Sequence, residues 1–150
     1  MMARWMLLLT SIMIGCSGQD PSLNGRPKVV VAMGTVLYKG APLPDASVIF
    51  TNLESATTAY AQTDSAGNFK LTTFNKDDGA APGKQAVSVR KLEMIVKTKQ
   101  GAENEISSVI PPMPEERWLI PKKFGSPELS GLGLELPDTG NPKIILDLKD

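Results

Sequence analysis

Two pairs of adjacent acids, Asp77-Asp78 and Glu115-Glu116, are the only side chains whose clustering suggests hydrolytic chemistry, because a glycosidase needs just two positioned carboxyl groups. Sequence neighbours rarely serve one cleft: adjacent strand residues point to opposite faces, and adjacent loop acids face water. The sequence contains no histidine, which removes the side chain most suited to proton transfer near neutral pH. Ser-His-Asp and Cys-His sites and most zinc chemistry go with it. Asp64 and Asn68 flank Ser65-Ala66-Gly67 and supply two oxygen ligands where a calcium loop needs several more at spaced positions, so a hairpin turn is expected there. No metal, cofactor or catalytic residue is expected, and the chain is read as a non-enzyme.

A second kind of chemistry sits at the start of the chain. Met1 to Arg4 carries one positive charge, Trp5 to Ile14 is apolar apart from Thr10 and Ser11, and Gly15-Cys16 follows. The apolar run is about ten residues long, whereas a spanning helix needs about twenty, so it reads as the core of a signal peptide. Met13-Ile14-Gly15-Cys16 resembles the lipobox of bacterial lipoprotein precursors, which implies cleavage between Gly15 and Cys16 and a diacylglycerol thioether on Cys16. Anchoring by two or more acyl chains is stable, so the expected product is exported and tethered to a bacterial cell membrane, on its periplasmic or outer surface side, without crossing it. Cys16 is the only cysteine, so no internal disulfide can form and packing alone must stabilise the domain.

A third candidate lies late in the chain. Trp118 and Phe124, with Lys122 and Lys123 between them, form a local cluster of aromatic and cationic side chains. Exposed, they would make a binding patch for a sugar or peptide; buried, together with Leu119 and Ile120, they would cover an edge or core. The Lys-plus-Arg and Asp-plus-Glu counts are both 16, so no net field draws in nucleic acid. The expected partners are the membrane, through the lipid, and an envelope protein or glycan recognised locally.

The elements that must position these groups are short strands. Residues 1–15 are read as the signal peptide and 16–28 as the lipidated cysteine and a polar tether. Residues 29–150 are read as one domain with a long irregular insertion near 94–127, in which Glu105 to Ile110 is a further strand candidate. Val29 to Tyr38, Ala46 to Leu53, Thr57 to Thr63, Asn68 to Thr73, Gln85 to Leu92, Gly131 to Leu136 and Lys143 to Leu148 are β-rich runs parted by turn residues. Val48 and Phe50, Phe69 and Leu71, and Val87 and Val89 recur with a period of two, so each strand should offer one face to a shared core. The prolines of Lys39 to Asp45 preclude a central strand and mark a reversal between strands one and two. Seven strands so spaced suggest a β-sandwich.

The segments Gly34 to Phe50, Gln62 to Phe74 and Asp78 to Lys91 resemble, in order and spacing, the carboxypeptidase regulatory-like, transthyretin-like domains of small bacterial lipoproteins. Ile120 to Leu132 and the closing Ile145 to Asp150 extend the likeness over nearly all of the chain from Val29 onward. The resemblance implies an all-β, seven-stranded Greek-key sandwich of prealbumin-like topology. It does not imply peptidase activity, which belongs to a separate zinc domain with histidine ligands. Nor does it imply the hydroxyisourate hydrolase activity of transthyretin relatives, which uses histidines and an arginine; Arg90 alone does not supply that set. The expectation is a lipid-anchored interaction or structural module, with a carbohydrate-binding module using Trp118, Tyr38, Tyr60 and Phe124 as the alternative.

Overall fold

The computed structural model describes residues 25–96 and 113–149. Gly15, Cys16 and the strand candidate at Glu105 to Ile110 lie outside the described residues. Ten strands and one short 3-10 helix make up the described part: β1 Ala32–Tyr38, β2 Ala41–Pro42, β3 Ser47–Asn52, β4 Thr58–Gln62, β5 Asn68–Lys70, β6 Gly83–Arg90, β7 Leu92–Ile95, β8 Glu115–Trp118, β9 Leu132–Leu136 and β10 Asn141–Leu148. The 3-10 helix, η1, spans Lys122–Gly125 between β8 and β9.

One sheet is built on β1, which pairs in parallel with β10 on one side and antiparallel with β5 and the two-residue β2 on the other. The second is antiparallel in the order β4-β3-β6-β9. Their apolar faces share one core: Val36, Phe69, Leu146 and Leu148 from the first sheet cluster with Val48, Phe50, Val87, Val89 and Leu136 from the second. The Phe50 and Phe69 rings meet across it, centroids 6.0 Å apart and planes tilted by 51°. The arrangement is all-β and sandwich-like, as the period-two runs predict.

Each of the seven expected strands is found, shifted by a few residues at its ends. The first begins at Ala32 rather than Val29, although Val30 already forms a bridge with Ala80. The run expected over Gln85 to Leu92 breaks after Arg90, and Leu92 opens a different sheet. Pro142, expected in a loop, lies inside β10; the strand tolerates it because, among the described residues, β10 is an edge paired with β1 alone. The Asp64 turn forms as expected: the Asp64 carboxylate accepts the N–H groups of Ala66 and Asn68 at 2.9 and 2.8 Å, and Gly67 takes φ = 77°. A side chain at Gly67 would press on the Val36 carbonyl of β1, so glycine is required by space as well as by conformation.

The strand directions define two ends. At the lower end lie residues 25–31, the β3–β4 turn, the loop from Leu71 to Pro82 and the turn that carries the chain from β9 to β10 in the other sheet. They are tied together by the Val30–Ala80 bridge, by Asn52 Nδ2 donating to the Pro82 carbonyl at 2.7 Å, and by Asn141 N–H donating to the Val31 carbonyl at 2.8 Å. At the upper end lie the β1–β2 and β4–β5 turns and the described residues from Lys91 to Ser130.

Within the region expected to be irregular, β7 and β8 form a separate two-stranded ribbon with Leu92 opposite Trp118 and Met94 opposite Glu116. After it, Ile120 and Phe124 turn inward, 3% and 2% exposed, and join the common core. Truncating a buried phenylalanine removes both its transfer free energy and its neighbours' contacts. Phe124→Ala should therefore destabilise the domain by about 3–5 kcal/mol, as much as a change within a central strand. Urea unfolding followed by circular dichroism measures this directly.

Candidate functional site

The sequence candidate at Trp118, Lys122, Lys123 and Phe124 is divided by the fold. Phe124 is a core residue and is corrected from the binding patch: η1 rotates it inward, where the sheets leave apolar space that water would otherwise fill. Lys123 lies along that buried ring, its Nζ 4.9 Å from the centroid, and donates to the Lys149 carbonyl at 3.1 Å. Trp118 and Lys122 stay together at the surface, with Lys122 Nζ 6.0 Å from the indole centroid.

Trp118 is half-buried because of Gly125. A Cβ there would stand 2.6 Å from the outermost carbon of the indole, so only glycine lets the ring lie flat on η1. Arg90 fixes the platform by donating from Nε to the Gly125 carbonyl at 3.2 Å. Lys91 anchors the root of the ribbon, its Nζ donating to the Pro44 carbonyl at 2.7 Å and its carbonyl accepting the Leu119 N–H at 3.0 Å. Arg90 thus has a structural partner in this place.

Directly opposed residues in a ribbon share a face, so Leu92, Met94 and Val96 lie on the face that also carries Trp118. Met94 and Val96 are 60% and 59% exposed. The other face carries the Glu93–Arg117 ion pair at 3.9 Å. By sequence, a strand run ends at Leu92, and Met94 and Glu115-Glu116 fall in the irregular stretch; the apolar-polar alternation Leu92-Glu93-Met94 was the signal that could have found the ribbon. Met113, Leu119 and Leu129 are further exposed apolar residues of this upper end.

A second concavity was not foreseen. An open groove of about 1180 Å³ runs along the side where β4 meets β5, lined by Met33, Ile49, Tyr60, Lys70, Thr72 and Ile145 among others. The Tyr60–Thr72 backbone bridge, two hydrogen bonds of 2.9 Å, joins the sheets there. Tyr60 is 59% exposed, which makes it the most accessible of the four aromatic platforms named from the sequence. The groove is lined from six separate segments, so no local motif marks it.

The acidic pairs are not brought together. Glu115 and Glu116 stand on β8 at the upper end, opposite Ile95 and Met94 and on opposite faces. Asp77 and Asp78 belong to the lower end. Asp78 serves the backbone: its two oxygens accept the N–H groups of Thr73 at 2.7 Å, Phe74 at 3.0 Å and Asn75 at 2.8 Å. Burial works against its charge, but the Thr73, Asn75 and Phe74 donors outweigh burial and hold its pKa below the usual carboxylate value. The Asn68 N–H does most to lower Asp64 in the same way. Among the described residues no group of three or more Cys, Asp or Glu is placed to hold a metal.

Both carboxylates are more acidic in the folded than in the unfolded chain, so they add stability above the unfolded value of 3.8 and lose it as pH falls through their lower folded values. Asp78→Asn should cost about 1–2 kcal/mol near neutral pH, by weakening charge-assisted hydrogen bonds, and should flatten the loss of thermal stability below about pH 4. Melting curves of both proteins across the acid range check the sign.

Comparisons with models of protein families, with curated proteins and with solved structures return no match, so the functional reading rests on this geometry and on the sequence.

Proposed function

We propose that this chain is a non-enzymatic, lipid-anchored module of a bacterial cell envelope, held by Cys16 and presenting its upper end to a protein partner. The observation that carries this reading is the polarity of the domain. The chain comes in at the lower end through residues 25–31, while the apolar face of the β7–β8 ribbon and the Trp118–Lys122 pair stand at the opposite end. An isolated two-stranded ribbon is marginal in water, and one that keeps Met94 and Val96 exposed gains stability from a surface that covers them. A membrane tether at one end leaves that surface free to meet a partner.

The fold belongs to the same reading. A seven-stranded Greek-key sandwich of transthyretin-like topology is supported by the order β5-β1-β10 in one sheet and β4-β3-β6-β9 in the other, with the first and last strands parallel. The ribbon is then an insertion after the fifth principal strand. Kinship with carboxypeptidase regulatory-like lipoprotein domains is part of the proposal and carries architecture and location, not chemistry.

Labelling cells with an alkyne fatty acid should tag the wild type and leave Cys16→Ser unlabelled and released from membranes. A photoreactive residue at Met94 should crosslink one recurrent envelope protein in intact cells, whereas the same residue at Thr58, exposed at the lower end of β4, should not. Equal capture at both positions would refute the upper end as the contact. Leu92→Ser should reduce the crosslink from position 94 while leaving the melting temperature of the domain nearly unchanged, because the Leu92 side chain is not in the core.

A carbohydrate-binding module is the second reading, and the exposure of Tyr60 in the β4–β5 groove favours that place over Trp118. Binding on a glycan array that is lost in Tyr60→Ala and kept in Trp118→Ala would establish it.

A further inference from the structure

Residues 25–31 are fastened to the lower end of the domain. The Arg26 guanidinium lies 5.1 Å from the centroid of the Phe74 ring, Lys28 Nζ donates to the Asp138 carbonyl at 3.3 Å, and Val30 exchanges hydrogen bonds of 2.9 and 3.0 Å with Ala80. The path from a lipidated Cys16 to Arg26 is ten residues long, or at most roughly 35 Å when fully extended. The longest strands of the domain have eight residues, roughly 26 Å. A leash joined at that end ties the lower end, and not the upper, to the lipid.

The same end carries large apolar side chains that the core does not use: Leu53 is 64% exposed, Val31 49% and Phe74 36%. They come from three loops that the lower-end hydrogen bonds hold together. Leu53 follows Asn52, whose side chain binds the Pro82 carbonyl; Val31 is bonded to Asn141; and Phe74 begins the turn closed by Asp78. Exposed Arg26, Lys28 and Lys76 alternate with exposed Glu54, Asp77 and Asp138 around them, so the end has apolar tips within a charged rim of balanced sign.

We propose that this lower end is a membrane seat, with Leu53, Phe74 and Val31 dipping into the headgroup region of the bilayer that holds the lipid, and the domain standing upright with its ribbon outward. The inference rests on the lipid-anchor reading of Cys16 and adds an orientation to it. Balanced charge makes apolar insertion, not attraction to anionic lipid, the source of the contact. Arg26 stacked on Phe74 gives the aromatic ring a cationic partner at headgroup level. The seat also explains why the turn around Phe74 is braced by Asp78: a fixed loop presents the ring without an ordering cost at each contact.

The test uses the mature lipidated protein reconstituted in phosphatidylcholine vesicles that carry nitroxide-labelled acyl chains. Acylation consumes the only native thiol, so Leu53→Cys and, separately, Lys76→Cys each provide a single site for a fluorophore, with Leu129→Cys, 69% exposed in the wild type, as the upper-end comparator. The mass of the N-terminal peptide is measured on the same samples. With Cys16 acylated, loss of fluorescence at 53 and 76 but not at 129 is expected, unchanged in high salt. Acylated protein quenched equally at all three positions, or more at 129, overturns the seat and leaves the anchor standing. An unmodified Cys16 overturns both.

Discussion

Backbone pairing along β1 is the constraint on which the rest of the molecule depends. β1 is the one strand of its sheet with partners on both sides, bonded along its length to β10 and, across the other edge, to β5 and then β2. It therefore joins the first strand to the last of the described residues, a long-range contact that carries a large loop-closure cost. Val36 on β1 is fully buried against the second sheet, so the strand that closes the chain also supplies the core. With no cysteine besides Cys16, no covalent bridge supports this closure.

That closure decides where the two ends of the domain point. Because β1 begins beside Ala80 and Asn141, the incoming chain is held at the lower end; because β6 also runs from the lower end to the upper, the insertion after Arg90 leaves from the upper end. A polypeptide that attaches at one end and displays an apolar ribbon at the other is physically polar, and an anchor and a contact surface then do not compete for space. The carboxylates are spent differently. Asp64 and Asp78 each close a turn by accepting backbone N–H groups, which fixes loops at the two ends and leaves those oxygens occupied.

Much of the fold was legible in the sequence. Val48-Phe50, Phe69-Leu71 and Val87-Val89 gave the correct inward faces because period-two burial follows from strand geometry alone, and Asp64 to Gly67 gave its turn because the reasons are local: a carboxylate in reach of two N–H groups and a residue free to take positive φ. The candidate site was legible only in part. Trp118 and Lys122 do remain a surface pair, but Phe124, two residues on from Lys122 on a 3-10 turn, faces inward. A short apolar cluster has no periodicity long enough to say which members face the core.

By itself, then, the sequence determined the strand positions, the inward side chains, the turns and the single cysteine behind an apolar run, since each depends on groups a few residues apart. Tertiary structure alone decided that β10 lies parallel to β1, that Pro142 is harmless in an edge strand, that Gly125 receives the Trp118 ring, and that Tyr60 lines a groove built from six segments. Those features depend on which distant segments meet. Apolar burial does not encode the identity of its partners; it is satisfied by any surface that excludes water, and only the closed fold selects one.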